Sequence, residues 1–411
     1  IDKLNLKITI LFNNNPNSGG SPISDDIEDM IEVIEIDDGI PLDDDDIMEE
    51  DDEDDTQREK PEDLAAVAFN KHSTTVFCGD LSPNGKLAVT GGEDDKAYVW
   101  SAETGEIVME CNNHKDSVVF AGFSFDGAFL ATADMSGLVQ VWKCKVDDEN
   151  KEPWPKVFEY ETGDLTWGLW HFGARVLIIG TEGGDIFIFK IPSGETKVLQ
   201  GHNLKSECGK MFPDGVRLAA GYTDGSVKVW DLKTSAVLQQ VPASVHQNRV
   251  IGIDIHPENS LMASISFDGK VVLVTANNGK IVAQMNTELD LEVVAFSPDT
   301  KLGNIALGTL NGSVTIWDTA RQMIRHHCAK TDDEFPAGVT NMTWVNDHLV
   351  TGCLDGTIRI YEARSGDLKF GLTGHWSTIM DLVYNKEANI FLTASDDGTA
   401  RIFKYPEDSD N

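Results

Sequence analysis

The phrase "GGEDDKAYVW" at residues 91–100 returns along the chain, as "ATADMSGLVQVW" from 131, "GYTDGSVKVWD" from 221, "GTLNGSVTIWD" from 308 and "GCLDGTIRIYEA" from 352. Aligned on the tight turn, its second residue falls at Asp95, Gly137, Gly184, Gly225, Gly269, Gly312, Gly356 and Gly398, with spacings of 42, 47, 41, 44, 43, 44 and 42. Such a period marks units that cannot bury their apolar face alone and must stack on neighbours. Five residues past each turn stands a bulky apolar side chain: Trp100, Trp142, Phe189, Trp230, Val274, Trp317, Tyr361 and Phe403. The residues between alternate in polarity, as in "GSVKVW", which is the period of a strand with one buried face.

A second marker is independent of the first. Counting back 23 residues from the turn reaches His72, His114, His202, His246 and His375, five of the ten histidines. Each unit therefore reads as a His loop, a strand, an "SPNGK" or "FPDGV" type of turn, a strand, the Asp-Gly turn, a strand ending in the anchor, and a fourth strand.

The pattern resembles the WD40 repeat, with four strands per propeller blade, over residues 64–405. The resemblance implies an all-β, eight-bladed WD40 β-propeller, and in each blade a relay from the turn Asp to the loop His to a strand Ser or Thr to the anchor Trp. The first blade alone holds all four: Asp94, His72, Thr90 and Trp100. In the second, Ser136 stands in the Asp place beside His114, Thr132 and Trp142; in the fourth, Ala220 takes the hydroxyl place beside His202, Asp224 and Trp230. The fifth keeps His246 and Asp268, and the last His375, Thr393, Asp397 and Phe403. Imidazole and indole N–H groups buried between sheets need partners, since a lost one costs about 1–3 kcal/mol. These histidines are therefore read as structural.

Eight anchor strands leave only seven segments between them to serve as fourth strands. The segment "LAAVAF" at 64–69 has the length and composition to supply the missing one, closing the ring with no free edge in its register.

The formal charge of −36 is unevenly spread: residues 25–63 hold 22 Asp or Glu against Arg58 and Lys60. Such a run cannot bury enough apolar surface to offset ordering entropy, so residues 1–63 are expected to be a disordered, acidic region and 406–411 a short tail. Within it, residues 1–23 carry only a short apolar run, Ile8 to Phe12, and are expected to be disordered or a wrongly assigned start. No integral membrane span is expected. The six cysteines lie far apart without metal-site spacing, so buried free thiols in a reducing compartment are expected.

No phosphate loop, dinucleotide loop, zinc-protease or nucleophile-elbow motif occurs. The chain is read as non-enzymatic, with no catalytic, cofactor or metal site. The acidic run "DDDDIMEEDDEDD" lacks the turn glycine of an EF-hand loop. Dispersed basic residues and a negative field argue against nucleic acid.

A binding module remains. The His loops and Asp-Gly turns share one rim of a propeller, where Glu93, Asp116, Glu161, Asp164, Glu182, Glu207, Asp290, Glu292, Asp332, Asp333, Glu334 and Asp396 outnumber Lys115, Lys205 and Arg249. Phe77, Phe120, Trp167 and Trp376 lie among them. An acidic bowl dotted with aromatics suits a basic, extended peptide, since carboxylates pair with guanidinium groups and rings stack on them. The plainer alternatives are that rim acids only solubilise, and that Trp167 and Trp376 pack between blades.

"HKDSV", "GDLTWGLWH", "FPDGVRLAAGYTDGSVKVWDLK" and "MIRHHC", in that order, resemble the angio-associated migratory cell protein family, as does the acidic tract ahead of the first blade. The resemblance implies either of two roles. One is a dedicated chaperone for the basic N-terminal segment of a large-subunit ribosomal protein, as in the fungal relative. The other is a scaffold for signalling proteins in cell migration and angiogenesis, in a Rho-type pathway. The acidic rim favours the first. A monomer is expected, cytoplasmic, with a part in the nucleus or peripheral at the cell membrane as the further alternatives.

Overall fold

The computed structural model describes residues 61–145, 153–287, 290–301, 303–328 and 337–406. The acidic region up to Lys60, the rim residues Asp332, Asp333 and Glu334, and the end of the chain from Glu407 lie outside the described residues. What is described is an eight-bladed β-propeller, eight antiparallel sheets of four strands each. The innermost strands are Val76–Leu81, Val118–Phe123, Leu165–Trp170, Ser206–Met211, Val250–Ile255, Leu291–Phe296, Val339–Val345 and Ile379–Asn385. Each packs against the next, and the eighth packs against the first, so the sheets form a closed circle.

The turn positions read from the sequence are the ones that need a left-handed backbone. Gly137, Gly184, Gly225, Gly269, Gly312, Gly356 and Gly398 all have positive φ, and Asp95 takes the same conformation at φ 59°. Glycine carries no steric penalty there, and Asp is among the few other residues that tolerate it.

Seven blades are built from consecutive strands. The eighth has its three inner strands at the C-terminal end, and its outermost strand is Val67–Phe69, paired antiparallel with Ala400–Lys404 through Val67–Ile402 and Phe69–Ala400. Two further backbone bonds fasten the approach, Leu64 N–H to Thr373 O (2.9 Å) and Ala66 N–H to Ile402 O (2.7 Å). Phe69 then reaches across the seam and stacks on the first blade's Trp100, with ring centroids 4.8 Å apart and planes 4° from parallel. Both rings are almost wholly buried, in a cluster that joins Leu392, Ala400 and Ile402 to Leu81, Ala88 and Tyr98.

Polar pegs reinforce the seam. The first blade's Gly79 N–H donates to Asp381 (3.1 Å), and the eighth blade's Asn385 amide donates to Ser82 O (2.9 Å). Asp80 and Asp254 accept Phe123 N–H (2.8 Å) and Phe296 N–H (2.6 Å) across two other seams.

Because Phe69 serves two blades at once, Phe69→Ala should lower unfolding free energy by about 3–5 kcal/mol, the usual loss for a buried aromatic, as read by urea denaturation. A loss below about 1 kcal/mol would mean the N-terminal strand is not what holds the circle shut.

Candidate functional site

The relay geometry starts from hydrogen-bond direction. In the first blade Trp100 Nε1–H donates to Thr90 Oγ1 (3.3 Å), His72 Nε2 meets the same hydroxyl at 3.0 Å, and His72 Nδ1 meets Asp94 at 2.9 Å. One imidazole tautomer satisfies all three contacts, accepting from the threonine and donating to the carboxylate. The last blade repeats the arrangement with His375 between Thr393 and Asp397, both at 2.8 Å, and Phe403 in the indole place.

The structure corrects the reading of the other relays. In the second blade the acid is Asp134, at the end of the preceding strand: it holds His114 at 3.1 Å, and Ser136 donates to it at 2.7 Å. His114 still meets Thr132 at 2.7 Å, and Trp142 is buried beside them. In the fourth, where Ala220 leaves no hydroxyl for Trp230, the His202 ring turns; Nε2 faces Asp224 (3.3 Å) and Nδ1 accepts from Lys228 (2.9 Å). In the fifth, His246 meets Ser264 at 2.8 Å, but Asp268 accepts from Gln247 N–H and Lys270 instead, so the expected His246–Asp268 link is absent. Burial pushes His246 down to about 4, holding it neutral.

Three positions per blade build the rim. In all eight blades the residue after the second strand donates its N–H to the carbonyl of the residue just before the innermost strand, at 2.8–3.1 Å. The donor–acceptor pairs are Glu93–Thr75, Met135–Ser117, Glu182–Asp164, Thr223–Lys205, Phe267–Arg249, Leu310–Asp290, Leu354–Gly338 and Asp396–Thr378. In all eight the innermost strand also bulges at its second residue, which is left out of the ladder. Those residues are Phe77, Val119, Thr166, Glu207, Ile251, Glu292, Thr340 and Met380. A bulge leaves one residue unpaired and twists the strand end, and the backbone clasp fixes where its neighbours stand.

Of the expected rim residues, Glu93, Asp164, Glu182, Glu207, Asp290, Glu292, Asp396 and Phe77 occupy these positions. The only bases there are Lys205 and Arg249. Turns at the opposite end hold the ion pairs Asp126–Arg175 (2.8 Å), Asp214–Arg217 (2.6 Å) and Asp347–Arg364 (3.2 Å). At the clasped positions, by contrast, seven carboxylates stand against two bases.

The remaining expected residues stand elsewhere. Trp167 lies flat on the backbone at Gly180 and Gly209 and donates its indole N–H to Ser206 (3.0 Å), so it packs the third blade on the fourth. Phe120 likewise lies on Gly168. Glu161 ends the outermost strand of the second blade, Lys156–Glu161, where it pairs with Lys115 at 2.5 Å. Asp116 accepts from Ser117 N–H (2.8 Å) just outside the clasp. Trp376, 52% exposed, sits in the last His loop. Asp396 is on the rim, but its two oxygens take Thr75 (2.7 Å) and Ser377 (3.0 Å), so it is occupied in closing the ring. Sequence reasoning missed the apolar share of the rim, half-buried Met135, Phe267, Leu310 and Leu354. Each occupies the position filled by an acid in another blade, a signal that aligning the turns would have exposed.

All six cysteines are free, and burial pushes the Cys144, Cys208 and Cys328 thiols up to about 12. Among the described residues no cluster of three His, Cys, Asp or Glu could hold a metal, and no helix is long and apolar enough to cross a membrane.

Eight such sheets, clasped in register around a channel, define a WD40-repeat propeller. The WD domain, G-beta repeat family matches at 65–101, 105–143, 194–231, 329–362 and 366–404. The unmatched stretches carry the third, fifth and sixth blades, two of which have Phe189 and Val274 in the anchor place. The chain is 37% identical over 367 residues to human angio-associated migratory cell protein, covering 84% of this chain and 81% of that one. It is 24% identical over 378 residues to the ribosome assembly protein SQT1 of Saccharomyces cerevisiae, covering 82% and 86%. The crystal structure of Chaetomium thermophilum Sqt1 bound to the N-terminus of ribosomal protein L10 superposes with a TM-score of 0.75, at 21% identity, over 84% of this chain and all of that one. The chain belongs to the angio-associated migratory cell protein family.

The relay acids make a pH prediction. Burial alone would raise Asp397, but bonds from His375 and Thr399 and the charge of Arg401 bring it down to about 2. A carboxylate held below its ordinary value stabilises the fold at higher pH, and that stabilisation is lost as pH falls toward the folded value. Asp397→Asn should therefore cost about 1.5–3 kcal/mol at neutral pH, and its stability should fall less than the parent's between about pH 4 and 2, as measured by urea denaturation across that range.

Proposed function

We propose that this protein is a non-enzymatic holder of a basic, extended protein segment, most specifically the N-terminal segment of a large-subunit ribosomal protein, acting as its chaperone in ribosome assembly in the cytoplasm. The observation that carries this reading is the charge imbalance at the clasped rim. Seven carboxylates stand there against two bases, and six of them remain when the seam-bound Asp396 is set aside.

Exposed Asp164 and Glu182 are brought together by the third blade's clasp, with Glu207 on the next blade. Carboxylates so placed can each take a guanidinium or ammonium from an extended chain. Half-exposed Phe77 offers a ring face to such cations. The L10 segment seen on the Chaetomium protein supports the same use of this fold. A signalling scaffold would single out no residue of this rim.

An arginine-rich peptide should bind with an affinity that falls by at least about tenfold as salt rises past physiological strength, because exposed pairs are screened over about 8–10 Å there. Asp164→Lys with Glu182→Lys should abolish binding without lowering the melting temperature. Titration calorimetry at two salt concentrations reads both effects. A flat salt response, or an unaffected double variant, would contradict the reading.

A further inference from the structure

Arg249 is the anomaly of the acidic rim. Its carbonyl accepts Phe267 N–H (3.1 Å) and its own N–H is held by Asn248 (2.8 Å), so the two side chains stand together on the fifth blade. The guanidinium lies 4.7 Å over the Phe267 ring. Its Nη1 is shielded from solvent yet has no hydrogen-bond partner, and it closes into no ion pair with a described carboxylate.

Its neighbours make that placement informative. Glu207 on the fourth blade and Glu292 on the sixth occupy the bulge positions on either side. Burial lowers the guanidinium's pKa, and those two carboxylates, near enough to act on it, push it back up. A structural arginine would collapse onto one of them, since an unsatisfied shielded donor costs about 1–3 kcal/mol. Stacking on Phe267 instead holds the positive charge between them. Lys205, the other rim base, behaves in the ordinary way and pairs with Glu207 at 3.7 Å.

We propose that Arg249 is a resident cation that limits how tightly the rim holds a basic chain: it repels guest cations from the stretch between Glu207 and Glu292 and so speeds release. The inference rests on the basic-segment reading above. A like charge across an interface disfavours densely basic guests, and effects of this kind on related complexes fall mostly on dissociation. Guests with cations at every position would be penalised most, and guests with a neutral residue opposite Arg249 least. The rim would then favour a segment with spaced cations, and one that must later be handed over.

The test compares parent, Arg249→Gln, Arg249→Met and Arg249→Lys on an arginine-rich peptide by surface plasmon resonance, with melting temperatures measured alongside. Arg249→Gln should bind about tenfold tighter, mainly through slower dissociation, and with a steeper salt dependence. Arg249→Met keeps the stem over Phe267 and should behave the same way, which covers a folding defect in the glutamine variant. Arg249→Lys keeps the charge and should stay within about twofold of the parent. If the parent binds the peptide and neither neutral variant binds tighter, the resident-cation role is wrong while the basic-segment reading stands. Weaker binding by both neutral variants would also overturn it, and would mean that Nη1 donates to the guest. If the parent does not bind, the basic-segment reading falls and this inference with it.

Discussion

A circle of four-stranded sheets closes only when its last sheet, one strand short at the C-terminal end, is completed from the other end of the propeller. The whole propeller depends on how that shortage is met. Val67–Phe69 completes the last sheet, and the same segment delivers Phe69 onto Trp100 of the first blade. One short strand thus pairs the outer side of Ala400–Lys404 and joins the two ends of the array by apolar contact. Every other seam joins blades adjacent in sequence; this one joins residues more than 300 positions apart.

Once the circle is shut, the rim follows from backbone geometry. The clasp between the second strand's exit and the innermost strand's entrance recurs in every blade, and so does the bulge beside it. Neither needs a particular side chain, so the positions are free to vary while their placement is not. On this chain the third and sixth blades carry two carboxylates each at these positions, the first, fourth and eighth one each, and the second, fifth and seventh none. The relays lie one layer deeper. They tie His loop to turn in the blades that keep them, and a blade that loses one, as the fifth does in part, is still held by its neighbours' packing.

The blade count, the closing strand and the anchor positions were legible because each rests on a strong local constraint: a left-handed turn, a period-two strand, a count of strands. The sign of the rim was legible for a similar reason, since turns at one end of every sheet share a face. Finer placement was not. The bulge shifts side chains by one residue relative to a regular strand, so Phe77 stays on the rim while Phe120 and Trp167, one residue further along in their own blades, lie on glycine backbones. The spacing points to Ser136 in the acid's place, but the carboxylate that meets His114 stands two residues earlier and Ser136 donates to it. Asp396 reads as a rim acid by position, yet the closing seam consumes it through Thr75, a contact made only when the ring is complete.

The central claim is that guests are held at the clasped end of the circle. Amide hydrogen exchange with and without a saturating arginine-rich peptide tests it directly. Added protection should appear at the loops holding Asp164, Glu182, Arg249 and Asp290, and the turns holding Phe125, Phe172 and Val216 at the other end should exchange as before. Protection confined to those far turns would contradict the account.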